Sequence, residues 1–226
     1  MVTRRSLKGF TLIELLISIT ILGLVIGLAT FGFSLFSRHW DGPKSDFDRA
    51  AGQMQRLDLL LRALNDALPW VVKDDDGRAG FYFLGRDEGF TVVTSSPIYS
   101  VGAPAVIRVF RESDGSRRWR LVYEEASLRQ VLLRRGSQNL PFDRRLIVLE
   151  DLPGISFTYF GWASWQQRML SDEPGSGLAP QWWPDFDGLV RVQQPQRVAV
   201  KLGDFEVVFA MPDRTQTLLD RANPQL

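Results

Sequence analysis

The chain has no cysteine and only one histidine among its 226 residues. Without cysteine it can have no disulfide framework, no thiol catalysis and no cysteine metal site. A domain of ordinary size does not need disulfides, because it can bury enough apolar surface to be stable. The single histidine, His39, precedes Trp40 at the end of a long apolar run, a position that favours an interfacial role over chemistry.

An excess of charge of either sign is also missing, since 27 basic residues stand against 26 acidic ones. Beyond the short basic start of the chain, no basic tract suggests a nucleic-acid partner. The serines lie in no nucleophile-elbow motif, and Asp74-Asp75-Asp76-Gly77 lacks the alternating ligand spacing of a calcium loop. That run therefore predicts a solvated turn, and we expect no catalytic residue, no metal and no cofactor.

What the sequence does have is a nearly continuous apolar run over residues 10–36. A helix of roughly 20 residues is long enough to cross the hydrocarbon core of a membrane. Arg4, Arg5 and Lys8 precede the run, so the positive-inside rule puts the N-terminus in the cytoplasm and the chain after Trp40 outside it. The pattern predicts a single membrane pass.

Glu14 is the one acidic residue inside this run. An ionisable side chain within a membrane costs about 2.5–3.5 kcal/mol even on lenient insertion scales, and such residues are usually functional. Two simpler alternatives stay open. Gly27-Leu28-Ala29 gives a weak cleavage site for an ordinary signal peptide, and an uncleaved signal anchor accounts for the length of the run. Neither alternative explains the acid.

The residues around Glu14, KGFTLIELL from Lys8 to Leu16, resemble the N-terminal motif of type IV prepilins and type II secretion pseudopilins. The resemblance implies that a prepilin peptidase cuts after Gly9 and methylates Phe10. It also implies a leader at 1–9, a transmembrane and filament-core helix at 10–40, and a periplasmic pilin-like α+β domain at 41–226. The protein is then expected in the bacterial inner membrane, with its C-terminal domain in the periplasm.

The spacing from the cleavage point to Glu14 has a physical interpretation. Cleavage leaves a charged amine on Phe10, at the membrane end of the helix. When such helices stack with an axial stagger, the amine of one subunit can reach Glu14 of a neighbour. Each charge is costly alone in lipid, so the correct stagger neutralises both and other staggers do not. We therefore interpret Glu14 as an assembly residue.

The rest of the sequence predicts more helix and then a β-rich domain. Apolar residues recur at helical spacing over residues 47–68; Asp41-Gly42-Pro43 is expected to interrupt or kink the helix before them, and Pro69 to end it. Asp114-Gly115 and Gly203-Asp204 are hairpin signals. The expected fold is α+β: one long N-terminal helix, transmembrane and then amphipathic, packed on an antiparallel β-rich domain. Alternating patterns predict strands at 81–85, 89–94, 105–111, 117–124, 128–134, 146–149, 155–160, 197–202 and 205–210.

Residues 161–195 show no strand alternation, and a connection of this length is usually functional or disordered. Tryptophan is enriched at interaction hot spots. The tryptophans of this stretch therefore either form a partner-binding surface or anchor the loop to the sheet, and different members can do each. They are Trp162, Trp165, Trp182 and Trp183.

A second resemblance covers the β-rich part. Residues 146–161, the loop with Trp183-Pro184 and the stretch 194–200 resemble the C-terminal half of the J-type minor pseudopilins, and residues 83–92 resemble a strand pair of that family. Gln194-Pro195 departs from the family's usual Leu-Pro, and the tryptophan loop is unusually long.

This resemblance implies a non-enzymatic minor subunit at the tip of a type II secretion pseudopilus. Its partners would be the I-type and K-type minor subunits and the major pseudopilin. A minor pilin of a type IV pilus stays open as an alternative, as does a signal-anchored periplasmic binding module or enzyme.

Overall fold

The computed structural model describes residues 12–171, 173 and 175–212, and the chain divides into two compact units, residues 1–52 and 53–226. The predicted leader, Gly9 and Phe10 lie outside the described residues. Position 32 and positions 35–47 are helical, but their side chains, including that of His39, are likewise outside the description.

The first element is a long helix, α1 (Leu12–Asn65). Asp41-Gly42-Pro43 lie within α1 and do not interrupt it, so the chain has one long N-terminal helix; the kink expected there stays a prediction. A proline removes one backbone donor from a helix and crowds the preceding turn, but here the helix continues through it.

Strands follow α1 in the described part of the chain. They are β1 (Ala67–Leu68), β2 (Val71–Lys73), β3 (Ala79–Phe81), β4 (Phe83–Arg86), β5 (Gly89–Thr94), β6 (Ala105–Ser113), β7 (Trp119–Ser127), β8 (Arg144–Leu152), β9 (Ile155–Gly161), β10 (Gln181–Trp183), β11 (Phe186–Asp187), β12 (Arg197–Leu202) and β13 (Phe205–Ala210). Two short helices, α2 (Trp165–Leu170) and α3 (Gly188–Arg191), lie between β9 and β12.

These strands form two main sheets and one separate hairpin, with antiparallel pairing in every ladder of the described residues. The larger sheet has the order β11-β4-β5-β6-β7-β8, with β1 also paired to β5. The smaller sheet has the order β10-β9-β12-β13, and β2 pairs with β3. The α+β prediction, an N-terminal apolar helix followed by an antiparallel β-rich domain, is confirmed.

The main core of the β-rich unit lies between the last turns of α1 and the facing sides of the two sheets. Leu60 and Leu64 from α1 are 1% exposed, and they join side chains such as Phe90 and Ile107 of the larger sheet and Val200 of the smaller one. A second cluster lies on the other side of the larger sheet. Burial on both sides explains why β5 reads as a nearly continuous apolar strand.

The strand predicted at residues 128–134 is wrong. This segment is a turn followed by irregular backbone, tied to the β2–β3 hairpin by a hydrogen bond from the Lys73 amide to the Arg134 carbonyl. Val131 and Leu133 pack on the second cluster, whereas Leu132 between them is exposed. The segment therefore buries every second side chain over these residues without joining a sheet.

The end of α1 also differs from expectation, because the helix stops at Asn65, before Pro69. Residues 67 and 68 pair with Thr94 and Val93 of β5. The Thr94 hydroxyl donates to the Ala63 carbonyl at 2.6 Å, so a strand side chain satisfies an acceptor in the last turn of the helix.

The stretch 161–195 also differs from expectation. Its described residues contain α2, β10, β11 and α3 rather than one connection without regular structure. Elements of two to six residues are too short to produce a readable hydrophobic period. The hairpins predicted at Asp114-Gly115 and Gly203-Asp204 are confirmed as the β6–β7 and β12–β13 turns.

Tyr159 links the two sheets. Its hydroxyl lies 2.6 Å from the carbonyl oxygen of Arg86 and 2.9 Å from that of Gly89, at the turn between β4 and β5. A Cβ at Gly85 would lie only 2.6 Å from the Tyr159 ring, so glycine is what lets the ring approach. Burial of the ring raises the pKa of the Tyr159 hydroxyl, which stays a neutral donor.

Replacing Tyr159 by phenylalanine should lower the free energy of unfolding by about 1–2 kcal/mol, because a buried donor to two carbonyls is lost. Tyr82→Phe is the matched control, since Tyr82 is also buried but no hydrogen bond of its hydroxyl is seen in the described structure. Urea unfolding of the full-length protein in detergent, followed by tryptophan fluorescence, measures both. Equal losses for the two variants would contradict the linking role.

A buried carboxylate organises the loop between β5 and β6. Glu125 is fully buried and accepts hydrogen bonds from the amides of Tyr99 (3.1 Å) and Ser100 (2.7 Å) and from the Tyr123 hydroxyl (2.6 Å). The Tyr123 hydroxyl accepts in turn from the Ile98 amide at 3.2 Å. A charged acceptor thus satisfies the polar groups that this loop buries.

The substitution Glu125→Gln places an amide NH₂ against these donors and removes the charge. We expect a loss of about 1.5–3 kcal/mol in the free energy of unfolding. Glu206→Gln, at an exposed position of β13, should change it by less than about 0.5 kcal/mol. Chemical denaturation of both full-length variants checks the difference, and a neutral Glu125→Gln would refute it.

Candidate functional site

The apolar part of α1 is exposed within its own unit. The stretch Leu12–Phe31 contains 20 residues with a mean hydropathy of 2.5, and none of it is buried. Large side chains such as Leu12, Phe31 and Phe33 are 64–84% exposed. By length and composition this segment can cross a membrane, since lipid tails would cover the surface that the protein leaves open.

Polar side chains in this segment are satisfied inside the helix. The hydroxyls of Ser18, Thr20 and Thr30 donate to the carbonyls four residues earlier, at 2.7, 2.7 and 2.9 Å. Ser34 donates to the Phe31 carbonyl at 2.9 Å. Such bonds let hydroxyl groups lie in an apolar environment without other partners.

Two faces of the helix differ in chemistry. Glu14 and Ser18, four residues apart, lie on one face. Thr20, Gly23, Gly27 and Thr30 follow each other at spacings of three and four and lie about half a turn away. A Cβ added at Gly23 or Gly27 would meet nothing within 4 Å. The second face therefore offers a shallow surface for close approach by another helix.

The tryptophans of the stretch 161–195 occupy different environments. Trp183, on β10, is half-buried; its indole N–H donates to the Gly161 carbonyl at 3.0 Å. The Arg191 guanidinium lies over its ring, 4.2 Å from the centroid, and also 4.7 Å from that of Phe186. This packing joins β10 to the end of α3.

Trp182, the preceding residue, points to the other side of the smaller sheet. It is 45% exposed and its ring lies 5.2 Å from that of Phe160, its partner in the β9–β10 register. The guanidinium of Arg197, on β12, also lies over the Phe160 ring, 5.5 Å from its centroid. An arginine and two aromatic rings thus line up across three strands on a face outside the main core.

The other two tryptophans lie in the segment that follows β9. The carbonyl of Trp162 accepts a hydrogen bond from the buried side chain of Gln193 at 2.8 Å. Trp165 begins α2, which Ser164 caps by accepting from the Gln167 amide, and Arg168 lies 5.5 Å from its ring centroid. No ring contact joins two of the four tryptophans in the described residues, so they form no single cluster.

Arg191 was missed by sequence reasoning, because an isolated arginine has no period or motif. It lines an open cleft of about 480 Å³. Burial lowers the pKa of its guanidinium, and Asp185 and Asp187 partly oppose this by their charge. The other lining residues are Arg86, Ala163, Trp183, Asp185, Asp187 and Val190.

The chemistry of this cleft is that of a polar surface. Its lining contains no serine, cysteine or histidine, and Arg86 lies 3.9 Å from Asp187.

The acidic run Asp74-Asp75-Asp76 forms a turn. The Asp74 side chain accepts a hydrogen bond from the Arg78 amide at 2.7 Å, as in an ordinary hairpin turn, which agrees with the predicted solvated turn. Among the described residues, no group of three or more His, Cys, Asp or Glu could hold a metal ion.

The two neighbouring tryptophans should respond differently to truncation. Trp183→Ala removes a half-buried ring, its hydrogen bond and the surface under Arg191, so we expect a loss of about 2–4 kcal/mol in the free energy of unfolding. Trp182→Ala removes one exposed cross-strand pair and should cost less than about 1 kcal/mol. Urea denaturation of the two full-length variants gives both values, and the reverse order would contradict this assignment.

Comparison with known proteins identifies the start of the chain. Residues 4–30 match the family described as the prokaryotic N-terminal methylation motif. A search of curated proteins finds no match. The matched residues include Gly9, Phe10 and Glu14, and the motif implies processing by a prepilin peptidase, membrane anchoring and assembly with other pilin or pseudopilin subunits. With the exposed apolar helix and the antiparallel β-rich domain, it indicates a type IV pilin-like or pseudopilin-like protein, a structural type of subunit.

Proposed function

We propose that this protein is a J-type minor pseudopilin of a type II secretion system, a non-enzymatic subunit that assembles at the tip of the pseudopilus. The observation that carries the proposal is the match to the methylation motif over residues 4–30, at the start of an exposed apolar helix with Glu14 in its first turn. The order of elements in the β-rich unit supports the subtype. The β4–β5 pair precedes a tryptophan-bearing stretch that joins β9 to β12.

In this proposal the prepilin peptidase cuts after Gly9 and methylates Phe10. Residues 1–9 are the leader, residues 10–40 cross the bacterial inner membrane once and later enter the filament core, and residues 41–226 form the periplasmic domain. The partners are the I-type and K-type minor subunits and the major pseudopilin. The basic leader is the reason for the orientation, since Arg4, Arg5 and Lys8 favour the cytoplasmic side.

The two faces of the membrane helix suit an assembled bundle. Glu14 is positioned to receive the charged amine of a neighbouring subunit, which neutralises a group that lipid disfavours. The glycine face allows a second helix to pack closely on the other side. Each subunit can thus contact neighbours on two sides without any change in its own helix.

The tryptophans have separate roles in this proposal. Trp182 is the member presented to a partner, because it is exposed and lies beside Phe160 and Arg197, and tryptophan and arginine are frequent at hot spots. Trp165, at the start of α2, is a second candidate contact. Trp183 and Trp162 keep the loop attached to the sheet through their contacts with Arg191 and Gln193.

Mass spectrometry of the mature N-terminus tests the family-level part of the proposal. The expected first residue is N-methylated Phe10, with residues 1–9 absent. Cleavage after Ala29, or an intact N-terminus, would instead support a secreted or signal-anchored periplasmic protein. A bulky replacement of Gly9 should leave the leader attached, because the cleavage site then no longer fits the peptidase.

Glu14→Ala tests the assembly role. We expect normal cleavage but an approximately tenfold or greater loss of copurifying I-type and K-type subunits, since removing the carboxylate leaves the neighbour's amine buried and unpaired, at a cost above about 1.4 kcal/mol. Ser18→Ala is the control on the same face, because the Ser18 hydroxyl bonds only within its own helix. Normal copurification and secretion with Glu14→Ala would contradict the register role. Copurification with type IV pilus subunits instead would favour the minor-pilin alternative.

A further inference from the structure

The last strand of the smaller sheet, β13, has an open edge in the described structure. The two-residue loop Gly203-Asp204 joins β12 to β13, so Leu202 and Phe205 form the hydrogen-bonded pair that closes the turn. Bonded and non-bonded pairs alternate along an antiparallel ladder. The Met211 amide, which donates to the Gln196 carbonyl at 2.8 Å, continues the same alternation past the end of the strand.

This alternation decides which backbone groups of β13 face outward. Phe205, Val207 and Phe209 bond to β12, whereas Glu206, Val208 and Ala210 direct their N–H and C=O groups away from the sheet. Within the described residues, no hydrogen bond satisfies these outward groups. The edge therefore offers donors and acceptors in the spacing that another extended backbone matches.

The side chains beside this edge are apolar. Phe205 is 77% exposed and Val208 is 47% exposed, while Glu206 is the only charged residue of the strand. The register with β12 is regular over six pairs. Within β13 itself, Phe205–Ala210, there is no lysine, proline or bulge, which are the usual devices that keep an edge strand from pairing.

The other terminal strands of the two sheets are less open. β10 and β11 contain three and two residues. β8 is long, but it begins with Arg144 and Arg145, and its ladder with β7 contains register shifts. Both features disfavour addition of a further strand.

We propose that β13 accepts an extended segment of a neighbouring pilin-like subunit as a fifth strand of the smaller sheet; the identity of this partner rests on the proposed function. The segment has apolar residues beside Val207 and Val208 and a lysine or arginine opposite Glu206, because opposite charges in cross-strand pairs are favourable. Three outward residues supply backbone hydrogen bonds, and the exposed ring of Phe205 packs on the added chain.

A photo-cross-linker at position 205 tests this proposal in the full-length protein. Phe205 is replaced by p-benzoyl-phenylalanine in the producing bacterium, and adducts formed on irradiation are identified by mass spectrometry. We expect an adduct with a second protein that carries a methylated pilin-like N-terminus. The same probe at Val101, which is 79% exposed, should give about tenfold less of it or none.

Edge variants separate backbone pairing from simple proximity. Val208→Pro removes an outward N–H that β12 does not use, so the fold should persist while the adduct falls about tenfold. Val208→Thr keeps the backbone donor and should retain the adduct. Val208→Lys is the second edge variant if the proline protein has a lowered unfolding midpoint. An adduct that survives both edge variants would overturn the proposal.

Other occupants of the edge are distinguishable outcomes, and each would overturn the proposal. An adduct of two identical chains would show pairing with a second copy, and an intramolecular link to residues 213–226 would show that the chain covers its own edge. An adduct with a protein lacking the motif, or no adduct, also counts against it. Phe10 methylation is measured on the same sample, so a methylated chain without an adduct leaves the proposed function intact.

Discussion

The arrangement of the β-rich unit depends on the contact between Tyr159 and the β4–β5 turn. This contact fixes β9 of the smaller sheet against the larger one, through a ring that only a glycine at position 85 accommodates. Every other strand of the smaller sheet takes its place from β9: β12 and β10 pair with it directly, and β13 pairs with β12. The direction of Trp182 and the open edge of β13 both follow from that anchor.

The protein handles its apolar surface in two opposite ways. The last turns of α1 bury leucines in the main core, whereas the first turns expose nearly all of their apolar side chains. In water the exposed part would be an aggregation hazard. In lipid, or among other apolar helices, the same surface is covered by apolar neighbours. The exposed apolar part of α1 is therefore suited to lipid or to contact with other apolar helices, whereas the β-rich unit is suited to water.

Much of the fold could be predicted because its signals are local. The alternation in β5, β6 and β12, the Asp114-Gly115 turn and the apolar run before Trp40 each depend on neighbouring residues. Two of the failures depend on distant contacts. The end of α1 is set by pairing of residues 67 and 68 with β5, and in the segment 128–134 Val131 and Leu133 pack on the second cluster.

The candidate sites divide in the same way. Glu14 was recognisable because a membrane context makes a carboxylate conspicuous, and the motif fixes its distance from Gly9. The sequence singled out the four tryptophans but did not show which are exposed and which are packed. For Trp182 and Trp183 this depends on the three-residue strand β10 and on the Arg191 guanidinium above Trp183. Arg191 and the edge of β13 gave no sequence signal, because each acquires its character from strands that are remote in the chain.

The back-bonded hydroxyls of the membrane helix have a consequence for movement between environments. Ser18, Thr20, Thr30 and Ser34 donate to carbonyls of the same helix, so these groups would exchange no hydrogen bonds if the helix moved from lipid into a protein interior. Transfer of this segment therefore involves little polar reorganisation apart from the carboxylate of Glu14. Such a helix could move between lipid and a protein interior with Glu14 as the one charged group whose environment changes.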